Sequence, residues 1–146
     1  MKKLLLLIVV VLPLAGCGIL EEANSTLDYT EEMTAFINET EQFADEAPQM
    51  VEQAANDSEA AQELKTRLEE MKAEVEAVEN LDAPQLAEDL HQRVEEYSAE
   101  MKDGINQGLQ AIENGVIDPS FLENSELMQA LQEFQQLKGT LENLGL

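Results

Sequence analysis

From Leu27 onward, apolar residues recur at helical spacing. Tyr29, Phe36, Phe43 and Met50 stand seven apart, and Met33, Thr40, Ala47 and Ala54 form a second row offset from the first by four. Alternating steps of four and three place both rows on one stripe of a helix, the pattern of a seam that packs against other helices. Pro48 interrupts this stretch; a proline inside a helix loses a hydrogen bond and crowds the preceding turn, so a kink or break is expected there. Asn56-Asp57-Ser58 suits the end of one helix and the cap of the next. Leu64, Leu68, Met71, Val75 and Val78 then repeat the rhythm among Glu, Lys, Arg, Gln and Ala, all good helix formers.

A second boundary falls at residues 80–84, where Asp82 is a candidate cap and Pro84 suits a first helical turn. The stripe resumes through Leu86, Leu90, Val94, Tyr97, Met101, Ile105, Leu109 and Ile112. Gly104 and Gly108, four apart on this helix, offer a place where a neighbour can come close. Asn114-Gly115 ends it, glycine accepting the left-handed conformation of a helix stop. Asp118-Pro119 restarts the chain, Phe121 and Leu122 open the last segment, and Ser125-Glu126 is a second possible start. Leu127, Met128, Leu131, Phe134, Leu137, Leu141 and Leu144 give that segment its apolar face. No stretch alternates as a half-buried strand does. The expected fold is all-α, an elongated antiparallel bundle of about four helices, the first kinked or broken near Pro48. Its longest rods should measure roughly 45 Å at about 1.5 Å per residue.

The first seventeen residues follow different rules. Lys2-Lys3, the apolar run Leu4 to Leu14, and the small pair Ala15-Gly16 before Cys17 have the three parts of an export signal. Leu14-Ala15-Gly16-Cys17 resembles a lipobox, whose pattern is an apolar residue, two small residues and a lipid-carrying cysteine. The apolar run is short of the roughly 20 residues that a membrane-spanning helix needs. Three regions are therefore expected: a removed signal over 1–16, a lipidated Cys17 with a polar tether over 17–26, and an acidic helical bundle over 27–146. Extended, the tether would reach at most about 30 Å. Cys17 is the single cysteine in the chain, so it closes no internal disulfide, and lipidation would consume its thiol.

Charge narrows the range of partners. Lys2 and Lys3 belong to the leader, which leaves six cationic side chains against 31 acidic ones, a net charge of about −25 if the new amino terminus is acylated. Such a balance excludes nucleic-acid binding, which depends on clustered Lys and Arg. It also opposes adsorption to anionic lipid, so the expected membrane contact is the anchor and not the bundle. High charge with few aromatics is also a mark of disorder, but the helical periodicity argues for a folded chain. The acidity would suit a saline or alkaline exterior.

Candidate chemistry is sparse. Glu88-Asp89-Leu90-His91 contains the Glu-x-x-His spacing of di-iron bundles, but such a site takes the motif from two helices and His91 is the single histidine. No segment has the ligand spacing of an EF-hand, and Asp118-Pro119-Ser120 is better read as a cap. Serines 25, 58, 98, 120 and 125 fall in the tether, at helix boundaries or on a helix surface, without a Gly-x-Ser-x-Gly motif. No catalytic, cofactor or metal residue is assigned. The Tyr29, Phe36 and Phe43 row is expected in the core, with a binding stripe for an apolar ligand or helix as the alternative.

The chain resembles small acidic helical lipoproteins of Bacillus-type Gram-positive bacteria, a family of unknown function. The phrases that carry the likeness are Glu46-Ala47-Pro48-Gln49, Asp82-Ala83-Pro84, Ala87-Glu88-Asp89-Leu90-His91-Gln92, and Ile112-Glu113-Asn114-Gly115 with Asp118-Pro119. The resemblance implies a Gram-positive cell envelope and brings no catalytic residues; the lipobox places the expected anchor at the extracytoplasmic face of the cell membrane. The resulting expectation is a non-enzymatic interaction or structural module with an envelope protein or a second copy as partner. The alternative is a lipoprotein that presents a small molecule or metal ion at the membrane.

Overall fold

A computed structural model describes residues 17–121 and 125–143. Four helices make up most of it: α1 over Cys17–Ala54, α2 over Ser58–Glu79, α3 over Glu88–Glu113 and α4 over Glu126–Asn143. Each helix packs on its neighbours in chain order, and α4 returns to α1, which closes an antiparallel four-helix ring. Among the described residues there is no strand. The leader over 1–16, including Leu14, Ala15 and Gly16, lies outside the described residues, as do Leu122 and Leu144.

The stripes expected from spacing are the ones that meet inside. Tyr29, Met33, Phe36, Phe43, Ala47, Val51 and Ala54 of α1 are buried, as are Leu64, Leu68, Met71, Val75 and Val78 of α2. Ile37, adjacent to the first row, is buried too, which widens the α1 stripe to the breadth a bundle helix needs. Thr40 enters the core because its hydroxyl donates to the Ile37 carbonyl at 2.7 Å and is thereby satisfied. Phe134 of α4 is edge-on to Phe36 of α1, with centroids 4.9 Å apart, and to Tyr97 of α3 at 5.9 Å. Those contacts tie three helices at one level, each pair contributing about 0.5–1.5 kcal/mol beyond its buried area.

Of the kink or break expected at Pro48, the break does not occur: α1 runs unbroken through it. Pro48 stands on the exposed face, while the buried Phe43, Ala47 and Val51 hold the chain on both sides. The segment expected as a tether, 17–26, is the first part of α1. Thr26 is buried, and Thr30 Oγ1 donates to its carbonyl at 2.7 Å, so the α1 stripe starts ahead of Leu27. Leu27 itself is 49% exposed.

The turns follow local chemistry. Asp57 caps α2, its carboxylate accepting from the Glu59 and Ala60 amides at 2.7 and 3.3 Å. Asp82 does not cap α3: the chain leaves Pro84 through a 3-10 turn at Gln85–Ala87, and Ala87 precedes the helix without a side-chain cap. That turn sets Ala87 inside and leaves Leu86, expected on the stripe, 65% exposed. Ser98, expected on a helix surface, is fully buried on α3, on the stripe between Val94 and Met101. A small side chain fits that crowded line, whereas Tyr97 beside it is only half-buried.

At the end of α3, Gly115 has φ of 65°, its amide reaches the Ile112 carbonyl, and the Val116 amide reaches Ala111 at 2.9 Å. These two bonds form a Schellman motif. Asp118 then accepts from the amide and hydroxyl of Ser120, heading a 3-10 turn at Pro119–Phe121. Helix α4 starts at the second candidate site, where Ser125 Oγ accepts from the Met128 amide. At Gly104 α3 and α4 come close: a Cβ placed there would lie 2.5 Å from the Leu127 nitrogen.

Candidate functional site

Cys17 is the first residue of α1, so it sits at the root of a helix that continues into the bundle core. At about 1.5 Å per residue, the 38 residues of α1 span roughly 57 Å. Among the described residues no helix is long and apolar enough to cross a membrane.

The Glu-x-x-His motif does not assemble a centre. His91 is half-buried between α3 and α1, and its Nδ1 lies 3.1 Å from the Tyr29 hydroxyl. The rings meet edge to face at 5.7 Å. The hydroxyl donates to the imidazole when Nδ1 is unprotonated, and burial pushes the Tyr29 phenol up to about 12. This pair joins α1 to the start of α3. Glu88 is exposed, and among the described residues no group of three or more His, Cys, Asp or Glu is placed to hold a metal ion.

The serines are likewise distributed among structural tasks. Ser120 and Ser125 serve turns, and Ser98 Oγ is buried without a hydrogen-bond partner among the described residues. His91 pairs with Tyr29 and, among the described residues, with no serine.

Between the helices, a partly open apolar space lined by Phe43, Ala47, Leu64, Leu68, Gly108 and Leu127 measures about 20 Å³. That is room for one water at most, and an apolar lining gives a water no partners. Small-molecule pockets are larger by an order of magnitude, about 300 Å³ and upward.

Sequence reasoning did not foresee where the six cations go. Arg67 of α2 binds Glu39 of α1 at 2.9 Å, with Glu70 and Glu74 beside it, and lies over the Phe43 ring. Lys65 reaches Glu113, Lys72 donates to Asn106, and Lys102 pairs with Glu79, all across the α2–α3 seam. Lys138 of α4 pairs with Glu41 of α1 at 3.2 Å. Arg93 stacks on Tyr97 and donates to its hydroxyl. Five of these six groups join two helices, so positive charge is spent holding the ring together. Spacing alone could not reveal this, because each partner comes from another helix.

Two carboxyls feel the crowding of acids. Burial, with Glu39 and Glu70 nearby, pushes Glu74 up against the opposing pull of Arg67. Burial, with Glu100 and Glu96 of α3, likewise pushes Glu133 of α4 up, Arg93 opposing.

Residues 29–144 match the family of unknown function DUF6376. The chain belongs to that family. The match covers the whole closed ring, from the first buried aromatic of α1 to the end of α4. Among curated proteins, the chain is similar to the "uncharacterized lipoprotein YybP" of Bacillus subtilis (strain 168). The two are 31% identical over 130 residues, 89% of this chain and 88% of the relative. No solved structure matches the chain. The likeness to a small lipoprotein family of unknown function, read from the helix-boundary phrases, is thereby borne out.

Proposed function

We propose that this DUF6376 chain is a lipoprotein, anchored through Cys17 at the extracytoplasmic face of the cell membrane. Its bundle is a non-enzymatic interaction or structural module of the cell envelope. The observation that carries the reading is Leu14-Ala15-Gly16-Cys17 at the end of a short apolar run, in a chain whose relative bears the name lipoprotein. The anchor is adequate on physical grounds. One buried acyl chain binds reversibly and two hold stably, at about 0.8 kcal/mol per CH₂, and lipobox-type modification adds at least two.

The start of α1 at Cys17 favours a stiff mount over a slack tether. Nine helical residues rise only about 14 Å, half the extended reach, and transmit orientation as well as position. The apolar space of about 20 Å³ between the helices is too small for a small-molecule ligand, which supports a role for the outer surface.

Replacing Cys17 with alanine tests the anchor. The expected result is loss of fatty-acid labelling and release of the protein from the membrane fraction. Unchanged labelling would refute the assignment.

A further inference from the structure

The stop of α3 joins two residues with chemistry of their own. Asn114-Gly115 is the one place in the chain where asparagine precedes glycine. The side-chain amide of an asparagine is open to attack by the backbone nitrogen of the next residue. Glycine, with no Cβ, leaves that nitrogen unhindered. A bond from the Gly115 nitrogen to Asn114 Cγ closes a cyclic imide, and the side-chain nitrogen leaves as ammonia, taking the proton of the Gly115 amide. Water then opens the ring at either carbonyl. One opening gives aspartate; the other gives isoaspartate, whose main chain runs through the former side chain. The reaction takes no enzyme and no oxidant.

The electrophile is free. Asn56, Asn80 and Asn143 donate from their side chains to carbonyls one helical turn back, at 2.9, 2.6 and 2.6 Å. Asn106 accepts from Lys72. The Asn114 side chain is exposed and has no hydrogen bond among the described residues.

The nucleophile is held. The Gly115 amide donates to the Ile112 carbonyl at 3.0 Å, which fixes both its proton and its direction. Asn114 has ψ of −5°, and at that angle its tetrahedral Cα carries Cβ away from the Gly115 nitrogen. Ring closure needs the two nearly eclipsed. It therefore requires rotation about the Asn114 Cα–C bond, and that rotation breaks the Gly115 bond together with the Val116 bond to Ala111. Residues 113–116 are all exposed and Val116 is 68% exposed, so little packing opposes the opening.

We propose that Asn114 is a self-modification site, converted to aspartate and isoaspartate at a rate set by opening of the α3 stop. The product does not fit where the reactant did. Either form puts a carboxylate beside Glu113 at the negative end of α3. Isoaspartate also lengthens the main chain, so the bonds to Ile112 and Ala111 lose their register. The modification is irreversible, loosens the corner between α3 and α4, and requires neither the anchor nor a partner.

The test incubates the full chain, purified in detergent, in mildly alkaline buffer, either folded or in urea. Peptide mass spectrometry resolves asparagine, aspartate and isoaspartate at position 114. The unfolded chain should give both products, and the folded chain should react at least about tenfold more slowly, because it waits for the stop to open. Val116→Pro leaves Asn114-Gly115 intact and removes the amide that binds Ala111. It should speed conversion of the folded chain about fivefold or more and leave the unfolded rate within about twofold. Far-ultraviolet circular dichroism checks that the variant keeps its helices. If it does not, the wild-type chain decides: below the unfolding midpoint, local opening makes the rate less dependent on urea than global stability is. Equal rates in the folded and unfolded chain would overturn the proposal, as would a folded Val116→Pro protein that reacts no faster than wild type. A rate that tracks global unfolding, or an unfolded chain that yields no isoaspartate, would overturn it as well.

Discussion

Replacing Gly104 with alanine should destabilise the bundle, although alanine is the better helix former. In an unhindered helix interior the change would gain about 1 kcal/mol. Here the new Cβ would lie 2.5 Å from the Leu127 nitrogen and 2.7 Å from both its Cα and Cβ. Two of those atoms are backbone, so no rotamer change relieves the collision, and the first turn of α4 must move off α3. Leu127, Ala130 and Leu131 are all fully buried, and that shift would loosen their packing. Overpacking costs about 1–3 kcal/mol and more where backbone must shift, so the expected net loss is about 1–2 kcal/mol. Gly139 supplies the control: it lies inside α4 with nothing within 4 Å of an added Cβ. Gly139→Ala should gain about 0.5–1 kcal/mol. Urea unfolding followed by far-ultraviolet circular dichroism reads both, and the two midpoints should move in opposite directions. A Gly104→Ala protein as stable as Gly139→Ala would refute the close α3–α4 approach.

Phe134→Ala should cost about 3–5 kcal/mol in the same assay, because it empties a fully buried site and removes two ring contacts; a loss below about 1 kcal/mol would contradict that packing. Tyr29→Phe keeps the ring and deletes the hydrogen bond to His91, so a loss of about 0.5–1.5 kcal/mol is expected; an unchanged midpoint would show that the bond contributes nothing. Stability should rise as pH falls from neutrality towards the ordinary carboxylate range. The folded state holds protons on Glu74 and Glu133 more tightly than the unfolded chain does, so protonation through their raised values favours folding. Asp118 is shifted down by its bonds to Ser120, so its contribution is kept until the pH drops below the usual aspartate value and is then lost. A urea midpoint that falls steadily between pH 7 and pH 5 would contradict the assignment to Glu74 and Glu133.

Much of the bundle was legible because its signals are local. Asp57 caps α2 and Gly115 closes α3 where their residue types suggested, since a cap or a left-handed turn needs only a few consecutive residues. The buried stripes were legible for a related reason: helical periodicity sorts residues by face before any partner helix is known. The errors lie where a neighbouring element overrode a local preference. Pro48 did not break α1 because buried residues on both sides hold it, and Leu86 left the stripe when a 3-10 turn brought Ala87 inward. Ser98 was misplaced because its polarity suggested solvent, whereas its register runs along the packed line.

Candidate sites divide in the same way. An anchor signal is a contiguous string, so Cys17 could be singled out from sequence, and its modification stands as a proposal. The partner of His91 could not be, because Tyr29 lies on another helix. Helix type, helix ends and the sign of the surface charge are properties of near neighbours and of composition, and the linear chain specifies them. Which groups on other helices hold Lys65, Arg67, Lys72, Lys102 and Lys138, and how the stripes meet in the core, depend on the juxtaposition of distant segments. Those features arise only when four stripes close into a ring, because charge pairing and packing act through distance in space and not through separation along the chain.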